Sequence, residues 1–394
     1  MATSLNGDDM QEREDFLDKL RVTATCAVVL LHTITGVTDA TDMSTFPFEY
    51  KVFLVALDLL CWCVPVFVLI SGYLFLNPVR KISLRDMLTK YCRRIVLALF
   101  LFGVPYACLE QVALEHTFKT EMLGKGFLMV LCGESWAHMW YLYLILFLYL
   151  ITPALKWLLE RIPCPAVYVL LAALVAAGSI LPCLADFLDW AYPTALLGHL
   201  IYLFYYVCGY LFAVRGNLGV REEKSSTGLG KERSEGKTMH RAELEKTCCD
   251  GLAAEAHERR KRTYMWILPG AAAVLALGMA VSRLSGVYTA RTAYNDPRAV
   301  LLALLLFGSG FVWSRGGRKR AKNTGIWKQA SALTFTVYLV HPVFLNIFYK
   351  FLHVTPLDFN ICVSLPLFFM GTLLLSVAAA WAMRRIPVLR RYVL

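Results

Sequence analysis

The sequence is short of charge. Only 18% of its 394 residues are Asp, Glu, Lys or Arg, against roughly 25% in an ordinary soluble domain. So thin a charged shell cannot clothe a water-soluble globule of this length, which excludes a soluble enzyme and a disordered scaffold alike. A cleavable leader is not expected either. Residues 1–20 carry six acids (Asp8, Asp9, Glu12, Glu14, Asp15 and Asp18) and no basic region ahead of a short apolar core. The first apolar segment is therefore expected to stay as a signal anchor. Paired CxxC or Cys/His spacings are lacking too. The twelve cysteines are scattered, and six (Cys26, Cys61, Cys63, Cys108, Cys208 and Cys362) fall inside apolar stretches, where a free thiol behaves as a small apolar side chain. Cys248 and Cys249 adjoin without partners, so no metal site is supported. Cys132 and Cys183 fall on the outer side, and whether they pair is open. No internal repeat and no inverted pair of broken helices is visible, which argues against a secondary transporter.

Apolar residues, 58% of the chain, are what is there instead. They gather into ten stretches: 16–37, 52–76, 95–114, 139–159, 166–183, 195–214, 264–281, 298–313, 330–353 and 361–383. Most approach the ~20 residues that cross a hydrocarbon core of about 30 Å. The expected fold is all-α: a polytopic integral membrane protein of about ten transmembrane helices. If the N-terminus is cytoplasmic, 33 of the 40 Lys and Arg lie on inside segments. That is the positive-inside bias, and it sets both termini in the cytoplasm. The net charge of +11 is thus an orientation signal, and a nucleic-acid partner is not expected. The organisation reads as a tail over 1–15, six helices over 16–214, a flexible polar cytoplasmic loop over 215–262, four helices over 263–383 and a basic tail over 384–394. The loop is rich in Ser, Gly, Glu and Lys and has no sustained apolar run.

An ionisable group inside a bilayer is costly and by default suggests a functional site. Arg21 and His32 stand 11 residues apart in the first helix, about 20° past three full turns and so on one stripe. Their rise of about 16 Å puts Arg21 at the cytoplasmic surface and His32 toward the outer half. Asp58, on the second helix, is expected at a similar depth, where its carboxylate could orient the His32 imidazole; a structural hydrogen bond to a neighbouring helix is the equal alternative. His138 opens the fourth helix in HMWYLY, followed by Trp140 and Tyr141, and His138 and Tyr141 share a face. The aromatics also fit an interfacial belt. His341 precedes Pro342, which should kink its helix and leave a carbonyl unpaired. His199 in LLGHLIY reads as a buried structural histidine. On the inner side, Arg80, Lys81, Arg85, Lys90, Arg93 and Arg94 serve topology and, with Arg21, can clamp the phosphates of a nucleotide-bearing donor.

These residues resemble the acyltransferase-3 family of polytopic membrane proteins, which O-acetylate cell-surface sugars. Arg21 and His32 are similar to its R-x10-H signature. VPVFVLISGYLF (Val64–Phe75), HMWYLYLILFLYLITP and TFTVYLVHP resemble its SGF, HLWYL and YLxHP segments, in family order. Val-Pro before the SGY segment is similar to the branch that acetylates enterobacterial common antigen. Two features depart from the family pattern. Pro65 stands where many members carry an acid six residues before the Ser, with Asp58 earlier on the same face as a replacement. The family's cytoplasmic R-x-x-R pair maps only onto Lys90 and Arg93, with Arg94 adjacent.

The resemblance implies acetyl-CoA as cytoplasmic co-substrate, a saccharide or glycolipid hydroxyl as acceptor, and the inner membrane of a bacterial-type cell as location. His32 is the implied general base; Asp58 as its partner is an inference from its place on the same face, not part of the family pattern. Arg21, Lys90, Arg93 and Arg94 would bind the donor, and His138, Trp140, Tyr141, Ser71 and His341 would line the substrate channel. Ser71 is a possible acyl carrier, though an SG pair more often allows close helix packing. Direct transfer and an acyl-protein intermediate both stay open. The alternative function is a proton-coupled transporter or flippase using His32, Asp58 and His341 as a relay.

Overall fold

The computed structural model describes residues 7–115, 117, 119–231, 241–288, 292–315 and 324–394. Its longer helices are α1 (Gly7–Ala40), α2 (Pro47–Leu60), α3 (Cys63–Phe75), α4 (Arg93–Glu115), α5 (Glu121–Cys132), α6 (Trp140–Leu159), α7 (Cys164–Val175), α8 (Leu181–Leu188), α9 (Leu200–Lys231), α10 (Arg241–Leu284), α11 (Pro297–Trp313), α12 (Thr324–Asn346) and α13 (Ile361–Met383). No strand occurs among the described residues. This is the architecture a bilayer demands, because a helix satisfies its backbone polar groups within one segment. All ten apolar stretches fall on helices. Among the described residues, eight helical segments are long and apolar enough to cross a membrane, while 195–214 and 298–313 correspond to the shorter apolar helices Leu200–Gly216 and Pro297–Trp313.

The chain divides into two compact units. One comprises Met1–Leu31, Asp42–Val79 and Leu171–Ser331; the other comprises His32–Thr41, Arg80–Leu170 and Ala332–Leu394. In the first, α3 crosses α9 at closest range where glycines meet. A Cβ on Gly72 would lie 2.0 Å from the Tyr206 carbonyl oxygen, and one on Gly209 would lie 2.4 Å from that of Leu69. The SG pair of the SGY segment therefore serves packing here, and Ser71 turns its hydroxyl to the Phe67 carbonyl at 2.9 Å. Beside this crossing, Phe16, Tyr73, Phe307 and Phe311 pack their rings with centroids 5.8–6.4 Å apart. Offset and edge-on contacts of this kind add about 0.5–1.5 kcal/mol per pair beyond area burial.

In the second unit, α4 packs on α5 and α6. Helix α5 was not legible as an element: the stretch 115–137 reads as an outer loop without pattern. Its apolar residues return at helical spacing, so Met122, Gly126 and Val130 are buried while Leu123, Phe127 and Leu131 stay exposed. Gly126 accepts Cys108 Sγ at 3.1 Å from where its Cβ would be, and Gly133 ends the helix in the left-handed conformation at φ 79°.

Two expectations differ from the structure. The polar stretch 215–262 has helical backbone over 215–231 and 241–262, and 232–240 lie outside the described residues. Its Ala, Glu, Lys and Arg are strong helix formers, so propensity makes helix where no apolar face is present. His199 is exposed rather than buried, with its ring 6.2 Å from that of Tyr202.

Candidate functional site

The second unit gathers three histidines that are far apart in sequence. Ring centroids are 5.2 Å apart for His32 and His341, 5.8 Å for His138 and His341, and 6.4 Å for His32 and His138. His32 comes from α1, His138 from the single turn Ala137–Met139 that leads into α6, and His341 from α12.

Local sequence explains how each ring is held. Pro342 has no N–H, so the Tyr338 carbonyl four residues back loses its helical partner. His341 Nδ1 fills that vacancy at 2.8 Å and also reaches the Val337 carbonyl at 3.1 Å. A nitrogen facing two carbonyl oxygens must carry the proton, which leaves Nε2 with the lone pair. His138 has a backbone hydrogen bond with Leu339, and the same carbonyl accepts from Tyr106 Oη at 2.7 Å. Tyr338 in turn donates its hydroxyl to the His138 carbonyl. The Nε2 atoms of both His138 and His341 are buried and have no hydrogen-bond partner, as does Trp136 Nε1. Buried polar atoms without partners are rare enough to need an explanation, and a bound substrate supplies one.

His32, His138 and Trp136 line a cavity of about 500 Å³. Helix α1 lines it with His32, Thr35, Gly36, Asp39 and Ala40, a stripe at spacings of three and four. Helix α12 and the π turn Ile347–Phe351 after it contribute Pro342, Leu345, Asn346, Tyr349 and Lys350 with the same period. Ala107 and Glu110 of α4, with the segment Glu134–His138, complete the wall. Gly36 lets Tyr349 lie flat against α1, since a Cβ there would stand 2.7 Å from its ring. The Tyr349 hydroxyl donates to the Thr33 carbonyl at 3.1 Å. Trp136 stacks on Tyr106 at 4.2 Å with planes 9° apart, forming a rigid aromatic side.

Of the residues expected at the site, His32 and His138 line the cavity, and His341 packs against both. Tyr141 and Trp140 are half-buried and lie outside the lining; Tyr141 backs the cluster through the Tyr338 ring at 5.7 Å. Ser71 is not among the lining residues. Asp58 needs correction as a partner of His32. Both its oxygens accept from Arg283 of α10, at 2.8 Å each, and the two side chains are 98% buried. A buried carboxylate seeks the strongest bidentate donor within reach, and that is a guanidinium. Arg283 was missed because one Arg near the end of an apolar stretch looks like an interfacial anchor.

The expected donor-binding cations are less uniform than their shared charge suggests. Arg21 holds Asp18 at 3.0 Å, and Asp18 also accepts from Ser331 at 2.7 Å. Arg94 is engaged inside the protein: Nε and Nη2 donate to the carbonyls of Val393 and Leu394 at 2.9 and 2.5 Å, and its guanidinium lies over Phe335. Lys90, on the π turn Met87–Cys92, and Arg93 remain exposed.

A polytopic helical membrane protein with an imidazole cluster at a cavity is the class this geometry defines. Residues 14–385 match the model of a family described as an acyltransferase domain, and the chain belongs to this acyltransferase-3 family. It is accordingly a membrane acyltransferase. No curated protein and no solved structure gives a match.

Proposed function

We propose that this acyltransferase moves an acetyl group from cytoplasmic acetyl-CoA to a hydroxyl of a cell-surface or lipid-linked saccharide, with His32 as general base. The observation that carries the reading is the position of His32 on the wall of the cavity, beside two imidazoles whose free Nε2 atoms are buried. An alcohol is a weak nucleophile until its proton is taken as it attacks, and a neutral imidazole is suited to that near pH 7. His32 removes the hydroxyl proton while the oxygen attacks the thioester carbonyl. The C–S bond then breaks, and the CoA thiolate leaves with the proton returned from the imidazolium. His138, fixed through a backbone carbonyl, offers its lone pair to acceptor hydroxyls, and His341 packs behind it and His32. Lys90 and Arg93, both exposed, meet the CoA phosphates on the cytoplasmic side.

Comparison of surface glycans from cells with and without the protein, by mass spectrometry, tests the reading. An acetyl mass increment that depends on the protein, matched by acetyl-CoA consumption by the purified enzyme, is the expected result. Absence of both would overturn it.

A further inference from the structure

The cavity changes character along its length. Its inner part holds His32 and His138, whereas Asp39, Glu110, Glu134 and Lys350 stand at its rim. Asp39 lies two helical turns beyond His32, about 10 Å along α1. Lys350 is committed to Glu110 at 3.1 Å, and this pair cancels. Among the described residues, neither Asp39 nor Glu134 has an ion-pair partner, so the rim carries two uncompensated carboxylates. An acidic rim alone says nothing about a ligand. Here it surrounds a cavity whose wall includes His138, 96% buried with Nε2 unpartnered, and Trp136, with its indole N–H unpartnered. Those are one acceptor and one donor waiting for hydroxyl groups beside a flat aromatic stack.

We infer that the acceptor residue entering this cavity is an uncharged or amine-bearing sugar, and that the Asp39–Glu134 rim disfavours sugars carrying a carboxylate or phosphate. The inference rests on the acyl-transfer reading for its role and on the cavity alone for its charge preference. Like charges brought within a few ångströms in water repel by enough to weaken binding about three- to tenfold. The discrimination is therefore set at the rim before the hydroxyl reaches the imidazoles.

Three alkyl glycosides of one ring configuration and different charge, each changed at a single substituent, serve as probes: octyl glucoside, octyl 2-amino-2-deoxyglucoside and octyl glucuronide. Binding to the full chain in nanodiscs is measured by thermophoresis, and acetyl transfer from acetyl-CoA is followed in the same samples. The glucuronide is expected to bind about three- to tenfold more weakly than the glucoside, and the amino sugar at least as tightly. The double variant Asp39→Asn/Glu134→Gln should erase most of that difference while keeping the wild-type unfolding temperature. Raising salt from roughly 0.01 M to 1 M, which shortens the screening length from about 30 to 3 Å, should do the same in the wild type. Equal binding of glucoside and glucuronide, discrimination that survives in the double variant, or no binding of any probe would each overturn the inference. Selective binding without acetyl transfer would leave it standing and refute the acyl-transfer reading; transfer without charge selection would do the reverse.

Discussion

Asp58 and Arg283 illustrate how one contact redirects the meaning of a residue. Sequence places a carboxylate in an apolar helix and invites a catalytic partnership, but both oxygens are spent on a buried guanidinium. Removing one member of a buried pair leaves the other charge unmatched, at a cost of about 3–5 kcal/mol. Asp58→Ala should therefore lower the unfolding temperature strongly, with activity per folded molecule retained. A stable but inactive Asp58→Ala variant would restore the catalytic reading. The proton relay imagined for a transporter loses a member by the same contact. The basic cluster divides likewise. Lys90→Ala/Arg93→Ala should raise KM for acetyl-CoA by about tenfold, the loss expected for charge-assisted contacts, whereas Arg94→Ala should reduce stability, since Arg94 ties α4 to Val393 and Leu394. Steady-state kinetics and thermal unfolding in detergent separate the two outcomes.

At the scale of elements, each of the ten apolar stretches marked helical backbone, because a run of about 20 apolar residues leaves few other structures open in a bilayer. Amphipathic α5 escaped because Gly124, Lys125 and Gly126 interrupt a helical pattern only twelve residues long. The candidate site was legible in part. His32, His138 and His341 stand out as ionisable groups in apolar company, and Pro342 announced the orphaned carbonyl that His341 fills. Tyr338, three residues before His341, was within reach of the same periodicity. Trp136, Asp39, Glu110 and Glu134 were not, because only packing of α1, α4 and α12 around one cavity gives them a common address. The α3–α9 crossing gives a sharper test of packing. Gly72→Ala places a methyl against a backbone carbonyl that cannot rotate away, so destabilisation of about 1–3 kcal/mol or more is expected. Ser71→Ala, losing only a bond back to its own helix, should change stability by less than about 1 kcal/mol. Equal effects of the two substitutions would contradict the close-packing role.

For the whole molecule, charge distribution carries the orientation. The positive-inside bias of 33 of 40 basic residues predicts that Cys132, at the end of α5, faces outside and that Cys164, at the start of α7, faces inside. Both thiols are exposed. A membrane-impermeant maleimide should label a Cys132-only variant in intact cells and a Cys164-only variant after permeabilisation alone. The opposite pattern would invert the topology and put the His32 cavity on the donor's side.

The most direct test replaces His32. His32→Ala, expressed and inserted at wild-type levels with an unchanged unfolding temperature, is assayed for acetate on the surface glycan by mass spectrometry. Loss of acetylation by a factor of about 100 or more, the scale of general-base catalysis, is the result predicted here. Acetylation at the wild-type level in that variant would contradict His32 as the base.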